Sequence, residues 1–215
     1  MTRLILVRHG QSIANQRVLF AGHSDFDLSE LGHKQARAAA DYLIKKEKID
    51  AIYASDLLRA YHTAYPIGEA FGLPVIKDEG FREIFGGAWE SMCFTDIAAQ
   101  YPDEFYVWQN DYSHCRPVDG ESTIEVYERI VPHTCRLAKK NDGKCILIAT
   151  HACVIRAFDA YVQGLRADEV GKIPFTHNSS INIYEYDEGT IRTIRTNITD
   201  HLGDMVTMLP PITSA

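Results

Sequence analysis

The apolar run Leu4-Ile5-Leu6-Val7 stops abruptly on Arg8-His9-Gly10. Four consecutive aliphatic residues read as a strand buried on both faces, the kind found in a parallel sheet covered by helices. In open α/β sheets, ligands sit outside the carboxyl ends of the strands, so His9 is expected to face a crevice rather than the core. Gly10 allows a sharp turn or a close backbone approach there. Gln11, Ser12 and Asn15 then bring short polar side chains towards the same point. A guanidinium beside an imidazole, with amide and hydroxyl groups just beyond, has the chemistry of a phosphate site.

Downstream, the chain alternates strand and helix. Ser29 caps a helix whose apolar positions Leu31, Ala38, Ala39, Tyr42 and Leu43 recur at helical spacing. Residues 49–54 read as a second strand, and Ser55 or Asp56 is expected to cap a helix running towards Phe71-Gly72, with Pro66 kinking or breaking it. Residues 74–77 read as a short strand. Residues 122–140 read as a long helix kinked at Pro132, and residues 144–150 as a buried strand that again ends on a histidine, His151. A helix over 152–163, a further one near 168–173 and a hairpin turning at Asp187-Glu188-Gly189 complete the pattern. Strand-helix alternation predicts an α/β fold of three layers, α/β/α, around a mostly parallel central sheet. A single domain over 1–215 is expected, with a small helical cap inserted at about 91–121, where Phe94, Tyr101, Phe105, Tyr106, Trp108 and Tyr112 cluster.

Composition narrows the partners. With 46% hydrophobic residues the chain can fill a substantial core, and no apolar run approaches the roughly 18 residues a membrane span needs. Arg8 interrupts the start, which argues against a signal peptide and for a cytoplasmic protein. The five cysteines are widely spaced with no Cys-x-x-Cys pair, as reduced thiols would be. A net charge of −7 with no basic cluster argues against nucleic acid and membrane partners. An anionic substrate must therefore be met by particular arginines.

Two strands ending in histidine would, if parallel neighbours, stand about 4.8 Å apart, and their imidazoles could flank one phosphoryl group. Arg8-His9-Gly10-Gln11-Ser12 with Asn15, Ser55-Asp56-Leu57-Leu58-Arg59-Ala60 with Thr63-Ala64, and Phe81-Arg82-Glu83-Ile84-Phe85-Gly86-Gly87-Ala88-Trp89-Glu90 together resemble the motifs of the histidine phosphatase superfamily, which includes the phosphoglycerate mutases. Gly22, Gln35-Ala36, Gly120-Glu121-Ser122 and Asn178-x-Ser180 fit as well, so the resemblance covers most of the chain and is weakest over 92–118. It implies a metal-independent phosphomonoesterase of the phosphatase branch, with no cofactor, acting on a small-molecule phosphate ester as a monomer or homodimer. It further implies His9 as the nucleophile forming a phosphohistidine, His151 beside it, and Glu83 as the proton donor. Arg8, Arg59 and Asn15 would bind phosphate, while Gln11, Ser12, Ala21, Gly22 and Ala152 would contact substrate. Two positions depart from the pattern, Ser91 and Ala152, where the family commonly has glycine.

The runner-up is a cofactor-dependent phosphoglycerate mutase. That branch carries Glu-Arg-His-Tyr-Gly where this chain has Glu83-Ile84-Phe85-Gly86-Gly87, and a threonine where it has Ala21. The six acids of residues 91–121, set against Arg116 alone, should also disfavour bisphosphates and favour a neutral, aromatic or cationic leaving group. A non-catalytic module that binds phosphorylated ligands is the third reading. Cysteine phosphatase chemistry is excluded because no cysteine has an arginine six positions on. No His-Glu-x-x-His zinc motif occurs either.

Overall fold

The computed structural model describes residues 1–208. Six strands form one sheet in the order β3-β2-β4-β1-β5-β6, where β1 is Thr2–Arg8, β2 Ala51–Ala54, β3 Val75–Lys77, β4 Cys145–Thr150, β5 Ile181–Asp187 and β6 Thr190–Ile198. The first four in that order run parallel. β5 is antiparallel to β1, and β6 to β5. The expected mixed, mostly parallel α/β sheet is therefore present.

Both faces of the sheet are covered, because the aliphatic strands bury alternate residues on each side. Leu4 and Leu6 of β1 pack with Ile130 and Leu137 of α6 (Thr123–Lys140) and Phe158 of α7 (Ala152–Val162). Ile5 and Val7 pack with Leu43 of α2 (Glu30–Lys46) and Ile67 of α3 (Leu58–Phe71). The short α1 (Ile13–Gln16) follows β1, while α4 (Phe94–Gln100) and α5 (Pro102–Asn110) occupy the segment read as a cap. Phe94, Ile97 and Phe105 from that segment are buried in the same apolar cluster as α6 and α7.

Several local expectations are met. Ser29 caps α2 by accepting from the Gly32 amide, and Ser122 forms a capping box with Glu125 at the start of α6. The hairpin between β5 and β6 turns on Glu188 and Gly189, both with positive φ, as a two-residue turn matched to strand twist requires.

Others are corrected. Of the kink or break expected at Pro66, the break does not occur, and helix α3 runs five residues past it, since tertiary packing of Ala64 and Ile67 outweighs one lost hydrogen bond. Its N-cap is Leu57, neither Ser55 nor Asp56. The orphan amide of Leu58 donates instead to Asp25 Oδ1, 2.7 Å away across the fold. The segment near 168–173 is a 3-10 turn, Ala167–Lys172.

Candidate active site

Register brings the two histidines together. Arg8 of β1 pairs with Thr150 of β4, so the next residues, His9 and His151, leave the sheet side by side. Their ring centroids lie 5.2 Å apart, tilted by 60°, and both are almost fully buried. His9 Nδ1 lies 2.7 Å from the Gly10 carbonyl, which can only accept, so Nδ1 carries the hydrogen and Nε2 keeps its lone pair. His151 Nε2 is held by the Ser55 hydroxyl at 2.8 Å, leaving His151 Nδ1 buried without a partner. Burial depresses both histidine pKa values well below the ordinary 6.5. The positive charge of Arg59 adds to this at both rings and that of Arg8 at His9.

Two guanidinium groups share this chamber. Arg59 is 1% exposed and is gripped by the carbonyls of Ser24 (3.0 Å) and Gly22 (2.6 Å). Arg8 is 3% exposed and donates to the Thr176 carbonyl. The Nε of each is buried with no hydrogen-bond partner, and among the described residues neither cation has a carboxylate within ion-pair distance. Burial pulls the Arg8 pKa down to about 10, partly offset by Glu83, and lowers that of Arg59. Two buried cations with unused donors, beside two neutral imidazoles, form a site whose physical complement is an anion with several oxygens.

Glu83 reaches the chamber from the loop after β3. One of its carboxylate oxygens accepts from the amides of Ile84 (3.0 Å) and Cys153 (3.2 Å). It therefore sits at the amino end of α7, where the helix dipole favours a negative group. That loop is tied down by Thr150 Oγ1 to the Phe81 carbonyl and by His23 Nε2 at 2.9 Å from the Glu83 carbonyl. Asn15 Oδ1 accepts from Ser12 N and Asn178 Nδ2, both at 3.1 Å, so the orientation of its amide is fixed. Arg8, His9, Asn15, Arg59 and Glu83 all line one cavity of about 510 Å³, together with Ala21, Gly22 and Ala152. His151 lies behind this wall against His9.

Gln11 and Ser12, expected at the substrate, lie outside that lining. Gln11 Oε1 accepts from Ser29 Oγ at 2.8 Å, and Ser12 Oγ accepts from the Asn15 amide at 3.0 Å as the cap of α1. Gln11 Oε1 and Ser12 Oγ thus help to build the loop that carries His9 and Asn15. The acids of residues 91–121 do not line the cavity either. α4 and α5 turn Phe94, Ile97 and Phe105 inward, leaving Asp96 and Asp103 exposed, while Glu121 pairs with Arg129.

Some site residues carried no signal strong enough to assign them. Ser55 reads as a helix cap, yet it orients His151. Glu90 accepts from the amides of His23, Ser24 and Gly86, each within 2.8 Å, and from the Ser24 hydroxyl. It thus holds the loop whose carbonyls grip Arg59. Gly22 has φ +45° in that loop, and a Cβ there would lie 2.0 Å from Glu90 Oε1, so both backbone and space demand glycine. Phe175, Pro174 and Met208 come from irregular segments with no motif, and Trp108 from α5.

The comparisons with known proteins agree with this geometry. The model of the histidine phosphatase superfamily (branch 1) matches residues 4–199. The chain belongs to the histidine phosphatase superfamily. It is 33% identical over 204 residues to phosphoserine phosphatase 1 of Hydrogenobacter thermophilus, covering 95% of this chain and 96% of that one. It is also 33% identical over 187 residues to a metal-independent phosphoserine phosphatase of Arabidopsis thaliana, covering 85% and 76%. Among solved structures, mycobacterial glucosyl-3-phosphoglycerate phosphatase complexed with VO3 superimposes with a TM-score of 0.84 at 30% identity, covering 92% of this chain and 99% of that one. This histidine phosphatase is accordingly a phosphoric monoester hydrolase. Among the described residues, no helix is long and apolar enough to cross a membrane, and no cluster of three His, Cys, Asp or Glu side chains could hold a metal ion.

Proposed function

We propose that His9 is the nucleophile of a metal-independent phosphomonoesterase that works through a phosphohistidine on a small phosphate ester. The observation that carries this reading is the tautomer of His9. Its Nδ1–H is committed to the Gly10 carbonyl, so Nε2 presents a lone pair in a chamber with two guanidinium groups whose Nε atoms have no hydrogen-bond partner.

In the first step the His9 Nε2 lone pair forms a bond to phosphorus, and the bond from phosphorus to the ester oxygen breaks. Glu83 gives a proton to that departing oxygen. In the second step water attacks phosphorus and yields a proton to Glu83, the N–P bond breaks, and inorganic phosphate leaves. Arg8 and Arg59 bind the equatorial oxygens, where charge accumulates in the transition state, and His151 supports the His9 ring that it packs against. Asn15 contributes its amide, and Ala21, Gly22 and Ala152 supply cavity wall. Residues 91–121 act as a cap over the leaving-group side. The free thiols of all five cysteines, with no disulfide, support a cytoplasmic setting.

Purified protein assayed against phosphomonoesters in the presence of EDTA tests the reading. The expected result is hydrolysis that survives EDTA and disappears in His9→Ala. A requirement for a bisphosphate primer, with phosphoryl exchange in place of hydrolysis, would select a mutase instead.

A further inference from the structure

The two ends of the cavity differ in kind. Charged walls are confined to the chamber of Arg8, His9, Arg59 and Glu83. Beyond it the wall is mainly apolar, with Phe20, Phe94, Trp108 and Phe175 at its centre and the uncharged amide of Gln109 as its polar group. Among the described residues no lysine and no third arginine lines the cavity, and the sequence of residues 209–215 contains no basic side chain. The aromatic wall is braced from behind. The Trp108 ring centroid lies 5.4 Å from that of Phe20 and 5.0 Å from that of Tyr112. The buried Arg156 guanidinium lies 4.0 Å over Tyr112 and 4.2 Å over Phe175, held by the carbonyls of Ile173 and Gly171. A wall fixed in this way loses little conformational freedom when a flat group lands on it.

We propose that this site selects esters whose leaving alcohol is uncharged and carries an aromatic ring system, and discriminates against esters bearing a carboxylate next to the ester oxygen, such as phosphoserine and phosphoglycerates. The inference rests on the phosphomonoesterase reading. Once the phosphoryl oxygens occupy both guanidinium groups, a carboxylate two or three bonds further out meets Glu83, the uncharged amides of Asn15 and Gln109 and apolar or aromatic side chains, and no third cation among the described residues. None of these groups offers the positive charge that would offset the carboxylate's loss of water, and the ring quadrupole is negative on its face. An uncharged arene meets the same surfaces favourably. A cavity of about 510 Å³ also leaves room that phosphoserine does not fill, within the range of roughly 300–1,000 Å³ typical of sites for larger ligands.

The test holds the chemistry of the leaving group constant by using alkyl esters only. For the full chain, kcat/KM is measured with 2-(1-naphthyl)ethyl phosphate, propyl phosphate, 3-phosphonooxypropanoate and O-phosphoserine. The naphthyl ester is expected to exceed both carboxylate esters by about 100-fold, which is about 2.7 kcal/mol at 1.36 kcal/mol per tenfold. Trp108→Ala and Phe175→Ala are expected to lower the naphthyl-to-propyl ratio by about tenfold, a readout that general loss of folded protein does not move. Phosphoserine turned over within about tenfold of the naphthyl ester, or a ratio unchanged in both variants, overturns the inference while leaving the phosphatase reading standing. Failure to hydrolyse any of the four esters overturns the phosphatase reading and this inference with it.

Discussion

The phosphate end and the leaving-group end of the cavity are built on opposite principles. At the phosphate end both histidines sit directly past a strand terminus, and the functional groups are fixed by directional hydrogen bonds. His9 is held by the Gly10 carbonyl, His151 by Ser55, and Arg59 by Gly22 and Ser24. At the other end, Phe20, Phe94, Trp108 and Phe175 converge from four separate segments and are held by packing alone or by the Arg156 stack. Directional bonds aim charge, and packing shapes a surface. The contrast teaches that reaction type and substrate choice are stored in different parts of this molecule and can be perturbed separately.

The largest effect belongs to the nucleophile. His9→Ala should lower kcat by roughly 10⁴-fold or more for every ester alike, measured by steady-state assay with retained Tm as the control for folding. Unequal losses across esters would blur the separation of the two ends.

Glu83 stands at the boundary between them. Glu83→Gln should cost about 10²–10³-fold with alkyl esters and far less with 4-nitrophenyl phosphate, whose leaving group departs without a proton. Equal losses on both would remove Glu83 from proton transfer. Glu90→Gln should lower kcat/KM by about tenfold and weaken inhibition by inorganic phosphate in parallel, because the loop that aims Arg59 slackens. A change in KM for aromatic esters without a change in phosphate inhibition would instead place Glu90 at the other end.

Acidity probes the charged end alone. Both histidines have folded pKa values depressed below 6.5, so His9 stays unprotonated and the acid limb of kcat/KM is expected below pH 6.5. Arg59→Met removes a cation that depresses both, so the limb should move upward in pH-rate profiles of the residual activity. Stability follows the same sign. Below the unfolded value of 6.5 the unfolded chain gains protons that the folded rings refuse, so stability present above pH 6.5 is lost as pH falls towards the folded values. The smallest effect lies outside the cavity. Asp159 is buried against Tyr184, and burial raises its pKa above the ordinary 3.8, so folding stability falls as pH rises from 3.8 towards the raised value. Asp159→Asn should remove that slope and raise Tm by a few degrees at neutral pH, as thermal melts at pH 4 and pH 7 would measure.

Much of the phosphate end was readable in the sequence. Strands ending on Arg8-His9 and on His151 announce their chemistry locally, since a buried run broken by charge has one physical explanation in a parallel sheet. Gln11 and Ser12 show where local reading stops, since both bond within the loop and neither lines the cavity. Short polar side chains near a ligand and short polar side chains that build its loop look alike until their hydrogen bonds are known. The acids of residues 91–121 misled because composition records that charge is present and not which way the helix faces.

The sequence by itself determined the alternation of strands and helices, the two histidines at strand ends and the arginines that could answer a phosphate, because these depend on periodicity and on residue chemistry over a few positions. Only the tertiary structure decided that Ser55 would orient His151, that Glu90 would hold the grip on Arg59, and that Phe175 would lie beside Trp108 in the lining of one cavity. Those relations join residues tens of positions apart, and a pairing that costs chain entropy to close leaves no trace in local pattern.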